Sequence, residues 1–90
     1  MIYRVDLHVH TSATEGVSAS LDELVRAARR AGLDAIAVTD RDICTPVPVE
    51  LRGILLIPGC EISTLGGQIL GVFLDQPLDF ARLRRDGLPT

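Results

Sequence analysis

Along residues 2–10 apolar Val5, Leu7 and Val9 alternate with polar Asp6, His8 and His10, and this period of two predicts a first strand. The next ten residues, TSATEGVSAS, are small and polar and read as a loop. Ser20 and Glu23 form an S-x-x-E capping box at the head of a helix. Behind it, Leu21, Leu24, Val25, Ala28 and Ala31 recur at helical spacing, opposite Asp22, Arg26, Arg29 and Arg30, and Gly32 closes the helix. DAIAVTD, 34–40, is short and apolar on both faces, as a buried parallel strand is.

The segment 41–53 holds prolines and is too broken for a long helix, so it is expected to be a loop. GILLIPG, 53–59, predicts a third buried strand, with Gly59 serving a turn before Glu61. EIST, 61–64, and QILGVFLD, 68–75, flank Leu65-Gly66-Gly67 and predict a hairpin. A final amphipathic helix is expected over 78–86, with Phe80 and Leu83 facing inward. The order β-α-β-(loop)-β-β-α gives an α/β fold of parallel strands with one crossover helix and a terminal β-hairpin.

Composition narrows the picture. Ninety residues make a single domain, 1–90, whose stability margin is modest because a short chain buries a limited share of its surface. A hydrophobic share of 47% is high for so small a surface and points to self-association, so a homo-oligomer is expected. The net charge of −3, without a basic run, carries no nucleic-acid signature. No stretch reaches 18 apolar residues and the N-terminus does not resemble a signal peptide, so no membrane association and a cytoplasmic location are expected. Cys44 and Cys60 form no CxxC motif and are expected to be reduced thiols, Cys60 buried as a small hydrophobe.

The candidate chemistry collects at the carboxyl ends of the strands, where sites form in parallel α/β sheets. Strand one ends in His8 and His10, strand two in Asp40, Arg41 and Asp42, and strand three just before Glu61. Two imidazoles on one strand face, with Glu61 beside them, can hold a metal ion; alone, the pair also suits two surface histidines. Asp6 shares their face and either orients a histidine ring or pairs with an arginine such as Arg4.

In this order DLHVHT, AGLDAIAVTD and IPGCEIS resemble the motifs of the polymerase and histidinol phosphatase (PHP) family, over about residues 5–75. The resemblance implies part of a (β/α)7-type PHP barrel and a metal-dependent phosphoesterase acting on a small phosphorylated substrate. It implies His8, His10 and Glu61 as metal ligands, and Glu15 in the place of a further acidic ligand. The metal would be a divalent zinc, manganese or iron ion that activates a water and neutralises phosphate charge.

The chain departs from the family pattern at Arg41 and Gln68, where histidines are usual. Arginine cannot ligate a cation, and glutamine is a weak ligand for zinc. The expectation is therefore one ion per chain, on His8, His10, Glu15 and Glu61. Asp40 and Arg41 are the candidate catalytic groups, Arg41 either contacting phosphate or pairing with Asp40 or Asp42. The alternative is a PHP module that binds metal or phosphate without turnover and serves in assembly.

Overall fold

The computed structural model describes residues 2–85. The elements are β1 (Val5–Val9), α1 (Leu21–Arg30), β2 (Ala35–Val38), β3 (Glu50–Leu51), β4 (Ile54–Thr64), β5 (Gly67–Val72) and α2 (Phe80–Arg85). The strands run in the order β1-β2-β4-β3, with β5 paired to the far half of β4, in a mixed sheet curled as a half-barrel. β1, β2 and β4 are parallel, whereas β3 and β5 lie antiparallel to β4. The fold is α/β, but its sheet is mixed and has more strand than the sequence pattern predicts.

Local chemistry explains α1 well. The Ser20 side chain accepts from the Glu23 N–H at 3.2 Å, and the Glu23 carboxylate accepts from the Ser20 N–H at 3.3 Å. At the other end the Leu33 N–H donates to Ala28 O and the Gly32 N–H to Arg29 O, with Gly32 at φ +78°: a Schellman closure that needs a glycine. The buried face of α1, Val25 and Ala28, packs on Ile36, Ile54 and Leu56 of the sheet. Central β2 is buried at all four residues, as a strand flanked on both edges must be.

The sheet's other face carries the smaller cluster Ala35, Ala37 and Ile57 with Val72 against it. Register aligns Val5, Ala35 and Leu55 in one row on this face, and the two outer members are 43% and 53% exposed. This row is apolar and half open to water.

Two expectations need correction here. The segment 41–53 is not loop throughout, because Glu50–Leu51 fold back on Ile54–Leu55 through a two-residue turn with Arg52 at φ 52° and Gly53 at φ 84°. Two positive φ values in succession make the tight turn that joins twisted antiparallel strands. Arg52 also donates to Asp22 at 2.7 Å, tying this hairpin to the start of α1.

Nor does Gly59 make a turn: β4 runs unbroken from Ile54 to Thr64. A Cβ on Gly59 would stand 2.4 Å from Gly71 O, so glycine is there because β5 passes too close for any side chain. The terminal hairpin forms as expected, with β5 ending at Val72 rather than 75. α2 covers most of the expected final helix, with Phe80 and Leu83 half-buried; position 86 lies outside the described residues.

Candidate metal centre

β1 carries a register irregularity between Asp6 and Val9: Asp6 lies opposite Ile36 and Val9 opposite Val38, three steps against two. The extra residue takes Asp6 out of the row that His8 and His10 share. Asp6 accepts from the backbone N–H of His8 at 3.0 Å and so braces the bulge, not an imidazole ring. The His8 and His10 rings meet edge-on with centroids 5.1 Å apart.

Glu61 arrives from β4, its backbone fixed by the segment that follows β2. The Glu61 N–H donates to Asp40 O at 3.0 Å, and the Asp42 N–H donates to Glu61 O at 2.7 Å. This extension of parallel pairing sets Arg41 beside Glu61. His8 Nε2 donates to Glu61 Oε1 at 2.8 Å, and Arg41 Nε donates to Glu61 Oε2 at 3.1 Å. His10 Nε2 stands 3.3 Å from the same Oε2, yet it is buried and makes no hydrogen bond.

The Glu61 side chain is 1% exposed, against 47% for His8. Burial by itself pushes the Glu61 carboxyl upward, but the Arg41 hydrogen bond and the two imidazoles outweigh it and hold the group below the ordinary carboxylate range. Glu61 is thus a carboxylate where a cation would meet it.

Ligand atoms of His8, His10 and Glu61 all lie within 4.8 Å of one another. A tetrahedral ion with ligands about 2.0–2.1 Å away separates neighbouring donors by about 3.3–3.4 Å. The His10–Glu61 spacing of 3.3 Å already matches that, and the His8–Glu61 pair has to open slightly from its hydrogen-bonded 2.8 Å. A buried imidazole nitrogen that faces a carboxylate oxygen and makes no hydrogen bond is the observation that fits a ligand-to-metal bond. Two imidazoles and a carboxylate are a donor set that suits zinc, manganese or iron.

Asp40 lies beside this cluster with a different environment. It is fully buried, and its oxygens accept from the Thr11 N–H at 2.6 Å, the Thr11 hydroxyl at 2.7 Å, the Thr14 hydroxyl at 2.7 Å and the Thr45 hydroxyl at 2.5 Å. Burial acts to raise this carboxyl as well, and the hydrogen bonds overcome it and lower it. With four donors on two oxygens, Asp40 orders the loop after β1; the geometry gives it no free lone pair with which to meet a substrate.

The Thr14 hydroxyl also accepts from the Arg41 N–H at 3.0 Å, linking the two neighbourhoods. These three threonines are what the sequence reading missed. For Thr11 and Thr14 the only signal is the small polar run after the histidines, which looks the same whether it faces water or a buried acid; Thr45, in the proline-bearing segment 41–53, carries no such signal.

The remaining candidates fall outside the cluster. Glu15 is exposed on the loop and does not join His8, His10 and Glu61. Gln68 is exposed at the start of β5, opposite Ser63. Arg41 pairs with Glu61. Cys44 and Cys60 are both free thiols. Burial first, then a contact with the Cys44 side chain, pushes the Cys60 thiol up to about 12, which makes it a packing residue. Among the described residues no helix is long and apolar enough to cross a membrane.

No family model matches the chain, and no curated protein matches its sequence.

Proposed function

We propose that the chain is a PHP-like module, built on part of a (β/α)7-type barrel, whose His8, His10 and Glu61 hold one divalent transition ion in the service of phosphate-ester hydrolysis. The observation that carries this reading is the buried His10 Nε2, which makes no hydrogen bond and stands 3.3 Å from a buried oxygen of Glu61. The order of the DLHVHT, TD and PGCE motifs along the chain supports the phosphoester chemistry.

When bound, the ion supplies Lewis acidity and an activated water. The protein's own groups do the rest: Glu61 provides the anionic anchor, His8 and His10 the nitrogen donors, and Asp40 keeps the adjoining loop in place. His8, the most exposed donor, marks the side from which a small phosphorylated substrate reaches the centre. A cytoplasmic location and assembly of copies through the row Val5, Ala35 and Leu55 belong to the same proposal.

A second reading is a module that binds the ion without turnover, favoured by the hold of Arg41 on Glu61 and by a cluster of only three protein donors among the described residues. Hydrolysis of a chromogenic phosphomonoester with added manganese or zinc separates the two. The first reading expects metal-dependent turnover that disappears in His10→Ala. Metal binding without turnover contradicts the enzyme and leaves the binding module.

A further inference from the structure

A buried carboxylate that awaits a cation is costly to leave bare, and the structure shows what covers it. Glu61 Oε2 receives Arg41 Nε at 3.1 Å, and this same oxygen faces His10 Nε2, which makes no hydrogen bond. An ion shared by Oε2 and His10 Nε2 and the Arg41 guanidinium compete for one atom. Two cations a few ångströms apart also repel each other, so occupancy by one disfavours the other.

We propose that Arg41 is a tethered competitor of the metal: its guanidinium neutralises Glu61 in the metal-free protein and leaves Glu61 Oε2 when the ion binds. The proposal rests on the metal-site reading and deepens it by naming what regulates occupancy. The side chain has somewhere to go, because it is 49% exposed. The backbone does not follow, since the Arg41 N–H donates to Thr14 Oγ1 and the flanking Asp40 and Asp42 hydrogen-bond the backbone of Glu61 itself. Only the guanidinium moves.

Such an arrangement sets a threshold. The chain carries its own tethered cation beside the carboxylate, so the apparent metal affinity is weakened by the share of molecules in which Arg41 sits on Glu61. It also protects the carboxylate from being left buried and unpaired when the ion leaves. Arginine suits this role better than lysine for holding the oxygen, through its planar fork of N–H donors.

The test is calorimetric titration of zinc ion alone into the wild-type chain, Arg41→Gln and Arg41→Lys, with the folded state of each checked by thermal melting. Arg41→Gln is expected to bind zinc at least about tenfold more tightly than wild type, and Arg41→Lys to stay within about threefold of it. The Nε–H resonance of Arg41, followed by NMR, is expected to move to the position of a solvent-exposed arginine on zinc addition. If wild type binds zinc and Arg41→Gln binds equally or more weakly, the competitor role is overturned while the metal site stands. If no variant binds zinc, the metal site itself fails, and the inference with it.

Discussion

Asp40, just beyond β2, and Glu61, within β4, are both buried carboxylates, and the two are solvated in opposite ways. Asp40 is surrounded by neutral donors, one backbone N–H and three threonine hydroxyls, from the loop after β1 (Thr11, Thr14) and the segment after β2 (Thr45). Glu61 is met by a guanidinium and two imidazoles, of which one makes no hydrogen bond at all. Neutral hydroxyls that fit a carboxylate have nothing to exchange for, so Asp40 is part of the scaffold. Cationic and imidazole partners can be replaced by a metal ion, so Glu61 is the exchangeable one. Burial alone does not distinguish a structural acid from a working one; the partners do.

The sharpest way to break the comparison is to make each acid neutral. Asp40→Asn turns an acceptor for four donors into a group with two N–H bonds of its own, and is expected to cost about 3 kcal/mol in urea denaturation. Glu61→Gln is expected to lower zinc affinity at least about 100-fold, which at 1.4 kcal/mol per factor of ten is about 2.8 kcal/mol, while changing folding stability by under about 1 kcal/mol. Comparable losses of stability in both variants would erase the distinction.

The effect of pH is smaller and has a definite sign. Asp40 has a folded-state pKa below its unfolded value, so its contribution is fully present above the unfolded pKa of about 3.9 and is lost as pH falls through the lower folded pKa. Glu61 shifts in the same direction. Wild type is therefore expected to lose stability below about pH 4, and Asp40→Asn to show a shallower acid limb. A variant as acid-sensitive as wild type would contradict the hydrogen-bonding account of Asp40.

How far the sequence reveals this molecule depends on the range of the forces involved. The helix α1 is readable because its capping box and Schellman closure are local. β2 is readable because a strand buried on both faces is apolar throughout. β4 reads as two strands because Pro58-Gly59 looks like a turn; the close passage of Gly71, far along the chain, is what demands the glycine. β3 is hidden because its two residues follow a proline-bearing segment and gain their pairing only from β4.

The site divides in the same manner. Alternation along β1 places His8 and His10 together, and the motif order brings Glu61 to them. The bulge that removes Asp6 leaves no mark in the alternation. Glu15 stays out of the cluster because Thr11 and Thr14 turn inward to Asp40 and set the course of the loop. Arg41 reaches Glu61 because the two residues pair across parallel segments. Each of these is a tertiary decision.

The central claim, that His8, His10 and Glu61 form one metal centre, is tested most directly by elemental mass spectrometry. Wild type and the double variant His8→Ala/His10→Ala are equilibrated with zinc and separated from free ion by gel filtration. The account predicts about one zinc per chain in wild type and none in the double variant. Equal zinc content in the two proteins, or none in either, would contradict it.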